Sequence, residues 1–500
     1  RSDSKSRTNY GRGHFSAVFD PTPKHTAGFD IEYTERSTHM PTLSRTTLGQ
    51  TQSDSRYRQH MDGNTLTATA NYIWKIDTLG SQFKLIADYT RYTSDGDNSY
   101  HTTTCAPGTL RDSLYESATG SVYDILTADA GLTRKLPHGL TLRAGLRYTR
   151  NDMADKSRYA AQTQGTWLAL PEYSYDQHYT EQIGAAYASL EYSAGRWELS
   201  AGLRGEYTSV ASQAFGRSYF GLFPNVSVSR ALNALRTWLL VAQWSRNIER
   251  PAFPALNPAR IRISDYSWQS GNPSLRPTYI HRFSLTAVWK YRYTLTVGGN
   301  LHHDLIREIA HRDATAPDAV YIRPENHYTE NHWFVAASVP AKITRWWNLS
   351  VNAVGVMQRI RLNSTDSPAT HYLMFADATC SFTLPAGFFA EAVYRAQSRL
   401  YSGNSEVGPR HTLSATVKKQ LFGKRLTLFC TLSNITGCDW EFASLTDGMR
   451  RTIDTGQAWS GRLWKVGAAW NFRTGKKFRA RTVESAAETQ RKRLVKSTEQ

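Results

Sequence analysis

Nowhere does this 500-residue sequence approach the run of about eighteen apolar residues that a membrane-spanning helix needs. The best stretch, 238–242, is far too short, and only 40% of residues are hydrophobic. A helical membrane protein is therefore excluded. A chain that crosses with strands is not, because only alternate residues of a strand must face lipid. Cysteines are few: Cys105, Cys380, Cys430 and Cys438 show no metal-ligand spacing and form no dense framework. Cys430 and Cys438 sit close enough to pair across a strand end, but their spacing favours isolated thiols. No Pro/Gly/Ser linker divides the chain. It opens on Arg1-Ser2-Asp3 without an initiator Met or an apolar signal region, so a processed piece lacking its N-terminal part is expected. Nucleophile-elbow, phosphate-loop and zinc-protease motifs are absent, so no catalytic residue is assigned and an enzyme is not expected.

What is abundant is aromatic. Twenty-seven Tyr and 14 Trp are heavy for a soluble chain, and such rings concentrate where hydrocarbon meets water. The dominant pattern is a period of two. Leu140, Leu142, Ala144, Leu146 and Tyr148 share one face against Thr141, Arg143, Gly145, Arg147 and Thr149. Trp197, Leu199, Ala201, Leu203 and Tyr207 repeat it, as do Leu66, Ala68, Ala70, Tyr72 and Trp74. These segments run about ten to sixteen residues where soluble strands run about five or six. Charge recurs opposite the apolar stripe, as a wet lumen requires.

Connection lengths carry most weight. Short connections fall at 21–25, 77–81, 137–139, 193–196, 231–235, 290–293, 342–346, 385–387 and 422–424. Longer polar connections are expected at 37–63, 94–117, 152–178, 250–276, 311–326 and 437–457. Alternating short and long connections are what outer-membrane barrels show, with periplasmic turns short and extracellular loops long. The fold expected is all-β: a transmembrane antiparallel β-barrel with about nineteen strands present of an expected twenty-two. Residues 1–12 read as a partial extracellular loop, 13–472 as the barrel, and 473–500 as a basic periplasmic tail. Trp464, Val466, Ala468, Trp470 and Phe472 alternate and stop, as a C-terminal assembly strand should. Beyond them nine Lys and Arg face three Glu with few large apolar side chains, so the tail is expected to be disordered.

At Arg250 the sequence reads RPAFPALNPARIRISDYSWQSGNPSLRP. Arg250-Pro251, Leu256-Asn257-Pro258, Asp265 and Gly271-Asn272-Pro273-Ser274-Leu275-Arg276-Pro277 resemble a loop recurring in TonB-dependent outer-membrane receptors, particularly their "outer membrane β-barrel protein" subfamily. Leu432-Ser433-Asn434-Ile435-Thr436, Ser94-Asp95-Gly96 and Trp470-Asn471-Phe472 are similar to family features too, and the likeness spans Tyr10 to Arg493. Independently of the family, the prolines and Gly271 set turns and remove ladder donors, so this segment is a rigid structured loop, not a strand.

The resemblance implies the barrel of a receptor for TonB-dependent uptake of a scarce ligand: a metal chelate, an oligosaccharide or a peptide. It implies the TonB complex as partner, reached through a plug domain not found in these residues, and a surface lipoprotein as a further candidate. The alternatives are a passive porin or secretion channel, and a surface-displayed adhesin or enzyme barrel. Porins hold their constriction in an inward loop, whereas 250–277 resembles receptor loops, which favours the receptor. The net charge of +18 is spread without an aromatic-basic platform. That distribution points to anionic lipid and lipopolysaccharide in a Gram-negative outer membrane, not to nucleic acid. No cofactor or metal is assigned. His302 and His303 alternate across a strand and cannot chelate one ion together, even with Asp304 and His311 nearby. Asp95, Asp97 and Asn98 lack calcium-loop spacing, and Glu191, Glu198 and Glu206 form no acid pair.

Overall fold

The computed structural model describes residues 2–213, 215–258, 260–264, 266–313, 319–437, 440–446, 449–455, 462–472 and 483–494. Nineteen strands form one antiparallel meander. They are β1 (Arg7–Thr22), β2 (His25–Leu48), β3 (Thr51–Lys75), β4 (Gln82–Ala106), β5 (Thr109–Leu136), β6 (Leu140–Thr163), β7 (Tyr175–Ala194), β8 (Trp197–Ser212), β9 (Gly216–Ala231) and β10 (Trp238–Glu249). There follow β11 (Thr278–Trp289), β12 (Tyr293–Arg312), β13 (Val320–Lys342), β14 (Trp347–Arg361), β15 (Ala369–Leu384), β16 (Phe388–Gln397), β17 (Arg410–Leu421), β18 (Leu426–Ser433) and β19 (Leu463–Trp470). Each pairs with its sequence neighbour, from Arg7↔His39 at one edge to Leu426↔Trp470 at the other.

The turns explain themselves chemically. The expected short connections occur where expected, and most contain residues in the left-handed region. In Pro137-His138-Gly139, His138 and Gly139 have φ of 62° and 75°; in Pro385-Ala386-Gly387, Ala386 and Gly387 have 56° and 75°. Two consecutive left-handed residues make the primed turn whose twist matches a hairpin. At 77–81 the Asp77 carboxylate accepts from the Leu79 and Ser81 amides at 3.0 and 2.9 Å. The Ser81 hydroxyl first, and then those amides, hold the Asp77 pKa below the usual carboxylate value.

The wall is inside out. Leu142, Leu146, Leu199, Leu203, Tyr207 and Phe220 are exposed on its outer face, while Thr127, Thr149, Asn151, Glu181 and Thr208 are buried on the inner one. Inner polar groups meet across the ladder, because opposite side chains lie within reach. Thr127 and Thr149 are in register with hydroxyls 3.3 Å apart, and Arg147 donates to Asp129 at 2.7 Å. Aromatic rings gather at the short-turn end: Trp238–Trp289 centroids are 5.7 Å apart, Trp289–Tyr293 5.0 Å and Phe422–Trp470 6.0 Å. Lys290 and Lys419 place their ammonium groups over Trp289 and Phe388 at 4.4 and 3.9 Å. This is the interfacial belt that an amphipathic ring favours.

At the other end the structure departs from expectation. Residues 37–63, 94–117 and much of 152–178, expected as loops, continue the ladder. β2 to β6 run 24, 25, 25, 28 and 24 residues and turn tightly at Gly49, Gly108 and Gly165. At about 3.3 Å per residue, 25 residues extend roughly 80 Å along the strand, far past a hydrocarbon band about 25 Å tall. Above that band neither face needs to be apolar, so Thr- and Tyr-rich strands lose the hydropathic signature while keeping strand-forming residues. The partial loop expected at 1–12 is likewise strand from Arg7 onward, with Ser2–Ser4 paired to Thr42–Ser44. In the terminal strand Trp464, Val466 and Trp470 are all more than half exposed, and the ladder aligns Ala468 with Leu428 on the same face. The strand ends at Trp470, so Phe472, the expected end of the ladder and also more than half exposed, lies two residues past it.

Candidate functional site

β10 and β11 pair directly through Glu249↔Thr278, so the segment between Arg250 and Pro277 is an excursion from the meander. Contrary to the expectation of a loop without strand, Ile261–Ser264 and Ser267–Gln269 form a short hairpin whose second arm pairs in parallel with Val320–Ile322 of β13. The excursion turns inward. Phe253 and Leu256, on a single helical turn (Phe253–Leu256), and Leu275 are at most 2% exposed. They pack inside the lumen against Tyr123, Ile125, Met153, Tyr179 and Val210 from β5 to β8. The chain crosses itself at Gly271, whose amide donates to the Asn257 carbonyl at 2.9 Å, while Asn272 donates to Ala255 at 2.7 Å. A Cβ at Gly271 would lie 2.1 Å from the Asn257 oxygen, so only glycine permits the crossing.

Further bonds fix the loop to the wall. The Asn272 amide donates to the Pro324 carbonyl at 3.0 Å, Arg217 donates to the Leu275 carbonyl at 2.6 Å, and Arg276 reaches Asp304 at 2.6 Å. Pro251 offers its carbonyl inward, and Pro258 and Pro273 border a cavity. Pro277 precedes the first residue of β11, where a missing donor costs the ladder nothing. Asp265 lies outside the described residues, as does Cys438. The inward fold also corrects the distinction between receptor and porin drawn on this loop. Its direction does not separate the two, since a Pro-rich excursion anchored on both flanks of one hairpin has the lumen to fill.

Arg250 anchors the loop's start. It is about nine-tenths buried and donates to the Glu206 carboxylate at 2.7 Å and the Thr208 hydroxyl at 2.9 Å, with Glu181 3.8 Å away. Glu206 also accepts from Arg204, and Glu181 from Asn151 at 2.8 Å. A second charge cluster lies further round the wall, where the fully buried Glu330 accepts from Arg307, His332 and Gln358 at 2.8 to 2.9 Å. Buried carboxylates persist because each is paired and hydrogen-bonded.

Above the loop, towards the long strands, lies an arginine–aromatic mouth. Tyr57, Tyr100 and Tyr159 are buried together, with Tyr115 and Tyr173 packed against them. The Arg260 guanidinium sits over Tyr173 at 5.0 Å and Trp268 at 5.4 Å, and Arg262 over Tyr115 at 5.1 Å. Two adjoining cavities of about 330 and 320 Å³ share Arg260, Ser270 and Arg323. That is the size and wall chemistry of a small-molecule site, with a few polar groups set among rings. A larger groove of about 940 Å³ lies outside the barrel, between Leu146, Leu203, Tyr207 and Phe220. Its outer lining is mainly apolar and faces lipid, with Asp129 and Arg147, already paired to one another, at its inner border.

The histidines disperse. His302 contacts the Glu330 carbonyl, His303 meets the Tyr328 ring on the other face, and His311 pairs with Glu325. The tail also differs from expectation. Residues 473–482 and 495–500 lie outside the described ones. Residues 483–494, however, are not a loose periplasmic tail but lie against the inner wall, with Arg493 7% exposed. Their charges find lumenal partners, an option that composition alone does not reveal. Glu181, Arg260, Trp268, Arg323 and Arg493 were not singled out from sequence. The one usable signal was the interleaving of Arg and aromatic residues across 260–268.

The sequence model of the outer membrane protein beta-barrel family matches residues 74–467. Comparison with curated proteins gives no match. Among solved structures, the ferric-catecholate import receptor Fiu from E. coli K12 superposes with a TM-score of 0.58 at 10% identity, over 94% of this chain and 81% of that one. The ferric yersiniabactin uptake receptor FyuA from Yersinia pestis gives 0.50 at 10% identity, over 94% and 80%. At such identities the likeness bears on the fold.

Proposed function

This chain belongs to the outer membrane protein beta-barrel family, and from that premise we propose that it is the barrel of a receptor importing a scarce ligand by TonB-dependent transport. The observation that carries the reading is the arginine–aromatic mouth standing directly over a lumen crossed by the 250–277 loop. The inward loop alone would suit a passive pore as well; what favours a receptor is the recognition site above it, with energy supplied from the periplasm. The energy would come through TonB and a plug domain, and the short-turn end would face the periplasm.

Among metal chelates, oligosaccharides and peptides, a metal chelate is the first class to test. Two arginines beside tyrosine and tryptophan rings complement an anionic ligand with planar groups, and Fiu and FyuA are named for ferric chelates. The test is a tryptophan-fluorescence titration of detergent-folded protein with ferric catecholates, oligosaccharides and peptides. A ferric chelate should bind, and Arg260→Ala and Trp268→Ala should each weaken it at least tenfold. Saturable binding of none of the three classes, or binding indifferent to both substitutions, refutes the receptor reading of this mouth.

A further inference from the structure

We propose that the lumen contains a guanidinium-binding pocket whose resident occupant is the chain's own Arg493, so that residues 483–494 form a releasable strap along the inner wall. The path of the strap is continuous. Val483 lies against Gly28, where a Cβ would come 3.1 Å from its side chain. Glu484 pairs with Lys84 at 2.6 Å, and the Ala486 amide donates to Asp88 at 2.7 Å. Both wall partners stand near the start of β4, at the short-turn end. The strap then makes one turn, Glu488–Arg491, and delivers Arg493 to Glu181 on the inner wall, beside the start of the 250–277 loop.

The pocket is built for a planar cation. One terminal nitrogen of Arg493 donates to Glu181 at 2.5 Å and to Gln490 at 2.8 Å, while its Nε donates to the Pro251 carbonyl at 3.0 Å. The guanidinium plane sits over the Phe253 ring at 4.3 Å. Glu181 is 2% exposed and is held in place by Asn151. A carboxylate, a carbonyl and a ring face converging on one point recognise guanidinium specifically, since an ammonium lacks the fork and the flat face. The other terminal nitrogen of Arg493 is buried without a partner, so the occupancy is incomplete.

Two features make the strap releasable. Its one buried ion pair to the wall is at Arg493: the Lys84–Glu484 pair is 27% and 55% exposed and of the kind that contributes little. The other ties are single neutral-donor bonds, Ala486 to Asp88 and Asn151 to Gln490, with Leu494 packed against the lumenal apolar cluster. Space is also available. A cavity of about 610 Å³ lies between the strap, at Thr489, Gln490 and Lys492, and the wall at Ile306, Arg307 and Glu308. The strap therefore has room to leave Glu181 without the barrel moving, and Pro251 and Phe253 couple its position to the 250–277 loop. This inference does not depend on which ligand the mouth binds.

The test follows proteolysis after Lys492 in the folded full-length chain, with each rate divided by that of a free peptide of the same sequence. Arg493→Ala and Glu181→Gln should each raise the normalised rate at least tenfold, with Arg493→Lys in between. Circular dichroism and heat-modified gel mobility should stay unchanged, since Arg493 lies outside the wall. Equal rates in the wild type and Arg493→Ala, or full protection in Arg493→Lys, would overturn the pocket. Should Glu181→Gln fail to fold, the two Arg493 variants decide alone.

Discussion

Replacing Leu146 with arginine tests the inside-out wall. Leu146 is 65% exposed and flanked in register by Ala130 and Ala186, so nothing on the neighbouring strands covers it. It stands six residues past Leu140, the first residue of β6. At about 3.4 Å per residue and a tilt near 40°, that is roughly 15 Å above the short turn, close to the middle of the hydrocarbon band. A lipid-facing arginine there should cost about 2–4 kcal/mol. Leu142→Arg, only two residues along the strand and near the interface, should cost about 0–1 kcal/mol. On the outside of a soluble sheet both changes would fall within about 0.5 kcal/mol of neutral. Urea unfolding of the vesicle-inserted protein, followed by tryptophan fluorescence, measures both. If Leu146→Arg matches the wild type, or costs no more than Leu142→Arg, the outer face is not in lipid at that depth and the strand register is wrong.

Gly271→Ala should displace the 250–277 loop while sparing the barrel, because the new methyl group meets two backbone carbonyls, of Asn257 and Ala255. Losing the two hydrogen bonds donated by the Gly271 and Asn272 amides at that crossing should cost about 1–3 kcal/mol, seen as faster protease cleavage within the loop at unchanged circular dichroism. Arg250→Ala leaves the buried Glu206 without one of its two cations and should cost about 3–5 kcal/mol in the same urea titration. A loss below about 1 kcal/mol would mean that water already reaches Glu206.

Strand number and order were legible because hydrocarbon imposes a simple rule on sequence. Leu140 to Tyr148 alternate with Thr141 to Thr149 since one face must be apolar and the other must not, and the turn at 137–139 follows from a proline and a glycine. The rule lapses where hydrocarbon ends. Residues 37–63 and 94–117 are strand held by ladder bonds in a polar setting, and hydropathy has nothing to say there. The 250–277 segment announced itself as structured through its prolines, and Gly271 through its backbone crossing, but its inward direction depends on what the lumen offers it. Only the tertiary structure brings Arg250 of the loop, Glu181 of β7, Glu206 of β8 and Arg493 of the tail together. Residues hundreds of positions apart leave no local periodicity. Ion pairing in a lumen is settled by which charges the folded wall leaves facing one another, and the order of residues along the chain does not record that.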